Sequence, residues 1–217
     1  MGAKVSSTTQ DSIPVRLFLN RWFEQLLDFP AMADSRFEQA KAEFFQSIDS
    51  HNRGIAGPES MWGWKNPRSM WLVPFFLRLY PDLKFLHVVR DARDMALSKN
   101  RFLLNKHGDR LLGPSWRQNP EKAQMSLWAR GNMHAANSAI GCLPGNYHLL
   151  RYEDLCFDTE NSLKSLMDFL EIEGKSAAHL ASEIKPSTGI GRARKSPMVV
   201  DELDLENAAA LRRFGYD

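Results

Sequence analysis

The stretch from Lys84 to Ser98 constrains the fold of this 217-residue chain more than any other. Phe85–Val89 is a short apolar run that turns β-branched toward its end, which is typical of a strand buried on both faces of a parallel sheet. From Ala92 onward the apolar residues recur at helical spacing, and Asp91 stands where a helix N-cap is expected. The pattern therefore predicts a strand, a tight turn and a helix.

Arg90 lies at the carboxyl end of this predicted strand, and Ser98 lies two turns into the predicted helix. In an open α/β sheet, ligands bind outside the carboxyl ends of the strands. A fixed guanidinium at that place, with a hydroxyl near it, makes a good phosphate clamp because the flat fork donates two parallel hydrogen bonds. The alternative is that the Arg-Asp-x-Arg-Asp run only caps a helix and forms surface ion pairs. This stretch alone leaves both interpretations open.

A second strand is predicted at Met61–Lys65, followed by a helix with Asn66 as its cap and Pro67 in its first position. Two consecutive strand–helix units with right-handed crossovers place their parallel strands side by side. Lys65 and Arg90 are therefore expected at the same rim of the sheet, facing one anionic ligand. Taken alone, a lysine before a helix is usually a solvated surface group.

The remaining elements predict one α/β domain over residues 1–217, with three layers and a central parallel sheet flanked by helices. Apolar residues recur at helical spacing from Val15 to Leu26 and from Phe37 to Ile48, which predicts two amphipathic helices whose apolar stripes are core. Asn119 is expected to open a further helix. A third strand is expected at Tyr147–Arg151. Residues 1–12 are polar and rich in Ser and Thr, so they are predicted to be irregular, as are residues 101–119. The Gly-rich basic stretch 185–195 is either a solvated linker or a flap over an anion.

Composition excludes several other classes of protein. A formal charge of +2 is too small to indicate nucleic acid as the main partner. No apolar run is long enough to span a bilayer, and no signal-peptide pattern opens the chain. The chain has two cysteines, Cys142 and Cys156. Two cysteines at this spacing indicate neither a disulfide framework nor a zinc site, which is consistent with a reducing, cytoplasmic compartment. The sequence shows no cluster of His, Cys and Asp residues with metal-ligand spacing, so it does not indicate a metal site.

Several segments together resemble the sulfotransferases that use 3′-phosphoadenosine 5′-phosphosulfate (PAPS). The strand, arginine, helix and serine of Phe85–Ser98 resemble the family's 3′-phosphate site, which implies that Arg90 and Ser98 bind that phosphate. Trp64–Arg68 resembles the lysine-containing strand end near the transferring sulfuryl group, which implies a catalytic role for Lys65.

Two later segments extend the resemblance. Arg151–Leu155 resembles the family's Tyr-Glu-Asp-Leu segment, which implies that Tyr152 packs by the adenine. Gly189–Arg194 resembles the basic loop that closes over the cofactor, which implies that Arg192 and Arg194 bind it. The resemblance covers roughly residues 60–195, and the order and spacing of the motifs make the set fairly specific.

The resemblance implies a P-loop-type nucleotide-binding fold, PAPS as cofactor and adenosine 3′,5′-bisphosphate as product. It also implies a small-molecule or carbohydrate acceptor that offers a hydroxyl or an amine. The family's first strand and phosphate loop, which carries Lys or Arg, Gly, and Ser or Thr, have no counterpart in this sequence. The chain reads as if it begins after that unit, as a truncated gene product, a degenerate homologue or a fragment would.

Two classes of function therefore stay open. One is a sulfotransferase, with transfer by this chain expected to be impaired or absent; the other is a non-catalytic adenosine-3′-phosphate-binding or interaction protein. A kinase or nucleoside triphosphatase fits less well because the chain lacks Gly-x-x-x-x-Gly-Lys-Ser/Thr.

The catalytic base is a separate question. Many family members have a histidine shortly after the lysine, where this chain has Pro67. Asp11 is our hypothesis for the base, since other branches use a carboxylate that follows the phosphate loop. The alternative role of Asp11 is to cap the next helix, and Glu59 is a weaker candidate.

Overall fold

The computed structural model describes residues 13–53, 61–173, 176–195 and 204–216. Asp11, Glu59 and the predicted irregular segment 1–12 lie outside the described residues. The first two helices are α1 (Ile13–Leu26) and α2 (Asp34–Asn52), which pack against each other. Both were predicted from apolar residues that recur on one helical face, and both are confirmed.

An aromatic core fills the space between α1, α2 and the next helix, α3 (Val73–Leu79). Phe44 is fully buried, with its ring centroid 5.1 Å from that of Phe18 and 5.3 Å from that of Phe76. The predicted stripe residues of α1 and α2 are all buried here: Val15, Phe18, Leu19, Trp22, Phe23, Leu26, Phe37, Ala40, Phe44 and Ile48. These stripes are core, as the sequence indicated.

The strand predicted at Met61–Lys65 is wrong, because these residues form no regular element. The Trp64 ring packs into the aromatic core instead, 5.0 Å from the Phe76 ring centroid. The predicted cap is confirmed: the Asn66 side chain accepts a hydrogen bond from the Arg68 N–H and begins a 3₁₀ helix over Pro67–Trp71. This segment therefore belongs to the aromatic layer rather than to a sheet.

The sheet has two parallel strands in the described part of the chain, β1 (Phe85–Val89) and β2 (Tyr147–Arg151). Both were predicted, and they pair in register from Phe85 opposite Tyr147 to Val89 opposite Arg151. The predicted three-layer architecture with a central sheet is not confirmed. Val88 is 50% exposed, so the prediction that β1 is buried on both faces is wrong.

The crossover from β1 to β2 is helical, as parallel pairing requires. It contains α4 (Ala92–Ala96), α5 (Phe102–Leu112), a 3₁₀ helix over Pro114–Gln118, and α6 (Pro120–Ser138). Asp91 caps α4 by accepting from the Arg93 N–H, as predicted. The helix ends at Ala96, however, so the placement of Ser98 two turns inside it is wrong.

The prediction of an irregular segment over residues 101–119 is also wrong, and Gly108 shows why. This glycine is buried in α5, where a Cβ atom would lie 2.7 Å from Nε1 of Trp116. In the sequence, this glycine suggested a loop. In the structure, its missing side chain lets the Trp116 ring pack closely against α5. Close packing, rather than chain reversal, explains it.

The chain after β2 is helical. The elements are α7 (Tyr152–Phe157), α8 (Thr159–Leu170), α9 (Ala177–Ala181), a 3₁₀ helix over Arg192–Lys195, and α10 (Leu205–Arg213). No helix within the described ranges is both long and apolar enough to cross a membrane.

His87 joins the sheet to α6 through a buried polar network. Asn132 donates from its side-chain amide to the Trp128 carbonyl, so its Oδ1 atom is left to accept from His87 Nε2 at 2.9 Å. The other ring nitrogen, Nδ1, lies 3.0 Å from the Tyr147 hydroxyl and can accept its proton. This arrangement satisfies a neutral imidazole with its proton on Nε2.

We expect the protein to lose stability as the pH falls from 7.5 to 5.5. Burial lowers the pKa of His87, against a smaller raising effect of Asn132, and burial likewise lowers the pKa values of His107 and His134. Below about pH 6.5 the unfolded chain therefore binds more protons than the folded protein. Each of these histidines then lowers the free energy of unfolding by up to about 1.4 kcal/mol per pH unit. Denaturant unfolding at the two pH values measures this, and equal unfolding free energies would contradict it.

Candidate functional site

The carboxyl ends of β1 and β2 meet at one edge of the sheet, because Val89 is paired with Arg151. Each strand is followed at once by a predicted site residue, Arg90 after β1 and Tyr152 after β2. The Arg90 guanidinium carbon lies 5.1 Å from the centroid of the Tyr152 ring. Parallel pairing thus places two distant segments of the chain in direct contact.

The Arg90 guanidinium carries unused donors. Its Nε and Nη2 atoms are both buried and have no hydrogen-bond partner in the described part of the structure. A buried donor without a partner is costly, and more so when it belongs to a charged group. An oxyanion at this place would accept from both atoms, so the site fits an anionic ligand.

The Gly-rich basic stretch lies against Arg90. A Cβ atom on Gly189 would be 3.0 Å from Arg90 Nη2, so a larger residue would press on the guanidinium. Ser187 Oγ accepts from the Gly189 N–H at 3.2 Å and shapes this turn. The stretch therefore packs against the guanidinium and is not a free linker at this point, whereas its role as a flap over an anion stays a prediction.

Asp94 holds this loop in place. The side chain is 2% exposed, and its two oxygens accept from the backbone N–H groups of Gly191 at 2.6 Å and Ala193 at 2.9 Å. Arg192 Nε donates to the Asp94 carbonyl at 2.8 Å. The sequence indicated Asp94 only as a carboxylate near a helix N-terminus, and no local signal reveals this role in anchoring the loop.

Tyr152 is also close to the loop. Burial raises the pKa of its hydroxyl, the Cys156 thiol raises it further, and the backbone of Ser187 and the charge of Arg90 act in the opposite direction. The ring therefore stays neutral at physiological pH and presents a face to Arg90. A cation over an aromatic ring leaves the edge of the guanidinium available to a ligand.

A cavity of about 540 Å³ opens beside this site. The cationic side chains in its wall are Arg93, Arg151 and the exposed Arg194. Arg151 contributes a further buried Nε atom without a partner, and its guanidinium carbon lies 4.5 Å from the Tyr216 ring centroid. Arg194 thus reaches solvent at the cavity, whereas Arg192 is engaged with Asp94.

Carboxylates in the same wall are already occupied. Asp91 accepts from Arg93, with Nη2 2.8 Å from Oδ2. Glu153 accepts from the Asp91 N–H at 3.1 Å and from the Tyr216 hydroxyl at 2.6 Å. Burial and the Glu153 charge raise the pKa of Tyr216, so the hydroxyl stays protonated. The negative charge of Glu153 is therefore held by hydrogen-bond donors at the base of the cavity.

The remaining predicted site residues lie elsewhere. Ser98 follows α4, and its Oγ accepts from the Asn100 N–H at 3.2 Å. Lys65 is exposed, just before the 3₁₀ helix that Asn66 caps, and the strand that was to align it with Arg90 is not there. The structure therefore brings together four predicted residues at the sheet edge, namely Arg90, Tyr152, Arg192 and Arg194.

No group of His, Cys, Asp and Glu side chains among the described residues is arranged to hold a metal ion. Cys142 and Cys156 are both free thiols. The groups that the site does offer are guanidinium donors, backbone amides and an aromatic face, which are the usual means of binding phosphate esters and nucleotides.

These groups lie at the carboxyl ends of two parallel strands, where open α/β sheets commonly bind their ligands. Residues 7–176 match the model of the sulfotransferase family. This chain therefore belongs to the sulfotransferase family.

A solved structure supports the fold assignment. The chain is similar to a structure described as the sulfotransferase domain from the curacin biosynthetic pathway, with a TM-score of 0.53 and 17% sequence identity. The likeness covers 90% of this chain and 78% of that one. A comparison with curated proteins found no match.

Proposed function

We propose that this protein is a sulfotransferase that takes its sulfuryl group from PAPS, and that Arg90 binds the 3′-phosphate of that nucleotide. The observation that carries the proposal is the pair of buried, unpaired nitrogens on Arg90, which lie between the Tyr152 ring and the glycine loop. Membership in the family supports the reaction class. A phosphate would complete the hydrogen bonding of a guanidinium that the fold leaves unsatisfied.

The other residues take roles that suit their positions. Tyr152 offers a flat face for the adenine beside Arg90, and the exposed Arg194 adds a positive charge to the wall of the cavity. Arg192 acts through the loop, since its guanidinium is bound to the Asp94 carbonyl. Ser98 follows the helix that starts beside Arg90, and we propose that its hydroxyl adds a weaker phosphate contact.

Bound PAPS would supply a sulfuryl group for transfer to a hydroxyl or an amine of the acceptor. Transfer of this kind depends mainly on positioning and on cations near the developing negative charge. We propose Lys65 as that cation and Asp11 as the carboxylate that accepts the proton of the acceptor hydroxyl. With the nucleotide bound, the loop over Arg90 would keep water from the guanidinium and so strengthen its charge interactions.

A second candidate function is supported by the position of Lys65. That residue is exposed on a segment outside the sheet, so a nucleotide could bind at Arg90 without meeting it. The protein would then be a non-catalytic adenosine-3′-phosphate-binding protein that uses the same nucleotide site. The two candidates share Arg90 and differ only in whether transfer occurs.

Calorimetric titration with adenosine 3′,5′-bisphosphate and with AMP tests the nucleotide site. We expect the bisphosphate to bind tenfold or more tightly, because hydrogen bonds to a charged group contribute roughly 1.5–3 kcal/mol. Equal affinity for the two nucleotides would contradict the assignment of Arg90. Transfer of labelled sulfate from PAPS to a panel of hydroxyl and amine acceptors then separates the enzyme from the binding protein.

A further inference from the structure

Cations from three elements gather around Asn20 on α1. The Asn20 Oδ1 atom accepts from Arg68 Nη1 at 2.9 Å and from Lys106 Nζ at 3.1 Å. Arg16, one turn earlier on α1, places its backbone carbonyl 3.5 Å from Arg68 Nη2. One neutral amide oxygen therefore lies between two positive charges, with a third close by.

Arg68 is the member of the group that is hardest to explain as packing alone. Its side chain is buried, with 3% of the residue exposed, yet its hydrogen-bond acceptors are all neutral. They are the Asn20 and Asn66 amide oxygens and the Arg16 carbonyl. Burial and the neighbouring charge of Arg16 both lower the pKa of Arg68. Buried charges in proteins are normally paired with an opposite charge.

The described carboxylates do not supply that charge. None of them lies within ion-pair distance of Arg16, Arg68 or Lys106. Glu24, on the next turn of α1, is already 2.7 Å from Nδ1 of His107. The cluster therefore keeps a net positive charge beside an accessible surface, since Arg16, Asn20 and Lys106 are exposed.

The seam between α1 and α5 provides an internal comparison. Further along the seam, Glu24 meets His107 at 2.7 Å, and Asp28 meets Arg110 at 2.6 Å. Each of these contacts matches a basic group with a carboxylate. At the Lys106 contact the chain presents the Asn20 amide instead, where an aspartate of the same size would offset one of the positive charges of the cluster.

We propose that Arg16, Arg68 and Lys106 form a binding site for an oxyanion, and that this oxyanion is a phosphate, sulfate or carboxylate group of the acceptor. The acceptor role rests on the proposed function. Arg68 is three residues after Lys65, and the intervening Asn66 caps the turn that joins them by accepting from the Arg68 N–H, so the backbone places the cluster within one turn of the proposed catalytic lysine. The acceptor would then be an acidic molecule, held by its anion while its hydroxyl or amine faces Lys65.

Titration with inorganic phosphate, followed by backbone amide NMR at constant ionic strength, tests the site without any acceptor. We expect the amides of Arg16, Asn20 and Lys106 to shift with a common dissociation constant. Lys106→Gln should weaken this binding about tenfold, as expected for loss of a charged hydrogen bond. The matched control is Lys164→Gln on α8, where the lysine is exposed and paired with Glu160; it should change nothing.

Asn20→Asp provides a second test that does not remove a cation. A carboxylate between Arg68 and Lys106 should raise the thermal stability in chloride buffer and abolish phosphate binding, because it occupies the place of the anion. Parallel titrations with sulfate and acetate show whether tetrahedral oxyanions or carboxylates bind more tightly. Unchanged amides near Asn20, or phosphate binding that survives both Lys106→Gln and Asn20→Asp, would overturn the proposal.

The phosphate titration and the nucleotide titration fail independently. If adenosine 3′,5′-bisphosphate does not bind but phosphate shifts the amide signals near Asn20, the oxyanion site is supported. The proposed function, and with it the role of the site in binding the acceptor, is then wrong. If the nucleotide binds and phosphate leaves the cluster unchanged, the proposed function stands and the oxyanion site is wrong. Chemical shifts at Arg90 and at Asn20 in one series of spectra distinguish these results.

Discussion

Arg90→Ala is expected to abolish the preference for adenosine 3′,5′-bisphosphate over AMP. The two buried nitrogens of Arg90 have no protein partner, so the guanidinium is available to the 3′-phosphate that AMP lacks. Loss of charged hydrogen bonds to that group should weaken bisphosphate binding by roughly 10- to 100-fold and leave AMP binding nearly unchanged. Calorimetric titration of both nucleotides into both proteins measures the difference.

Two controls sharpen this experiment. Lys99→Ala removes an exposed charge from the same part of the crossover and should leave the preference intact. Ser98→Ala should cost less than Arg90→Ala, because a neutral hydroxyl brings no charge. Because the two Arg90 nitrogens are buried, high salt should reduce the Arg90 effect only slightly. A preference that survives in Arg90→Ala would leave this residue with a capping role only.

In a catalytically competent form of the protein, Lys65→Ala is expected to lower the rate of sulfuryl transfer by about 10²–10³-fold, which is the usual cost of removing one preorganised charge donor. The affinity for adenosine 3′,5′-bisphosphate should change little, since Lys65 is proposed to stabilise charge that develops only during transfer. Turnover with labelled PAPS and calorimetric nucleotide affinity, measured on the same preparations, separate the two effects.

The control for Lys65 is Lys164→Ala, which removes an exposed lysine from α8. If turnover is unchanged in Lys65→Ala, Lys65 is an ordinary surface residue. Its exposure and the absence of a strand at Met61–Lys65 would agree with that result. A loss of nucleotide affinity equal to the loss of turnover would instead indicate that Lys65 binds the ground state.

Local sequence patterns predicted several helices and their caps correctly, although α5 was missed and α4 is shorter than expected. The apolar stripes of α1 and α2 are buried as expected, and Asn66, Asp91 and Asn119 each accept a hydrogen bond from the first turn that follows. These features depend on side chains a few residues apart, so the sequence carries them without any partner. The turn-bounded apolar runs of β1 and β2 were also predicted.

Local patterns failed where an element depends on distant partners. Met61–Lys65 has the composition of a strand, but no strand in the described structure pairs with it. Its Trp64 ring packs on Phe44 and Phe76 in the aromatic core instead. The wrong prediction around Gly108 in α5 has the same origin, because this glycine is explained by the Trp116 ring that packs against it. A strand exists only when another strand completes its hydrogen bonds, and that pairing is not local.

Patterns in the sequence were enough to predict the apolar faces of α1 and α2, strands β1 and β2 and, through motif order, the family. They did not predict the contact of Arg90 with Tyr152, which the parallel pairing of the strands creates. Tertiary structure alone decided that Asp94 anchors the glycine loop through Gly191 and Ala193, and that Arg68 and Lys106 converge on Asn20. Those contacts join residues far apart in the chain, and each forms only because tertiary packing brings a side chain within hydrogen-bond distance of its partner. Local periodicity cannot encode such distances, since it reports which face of an element is buried and not which distant residue that face meets.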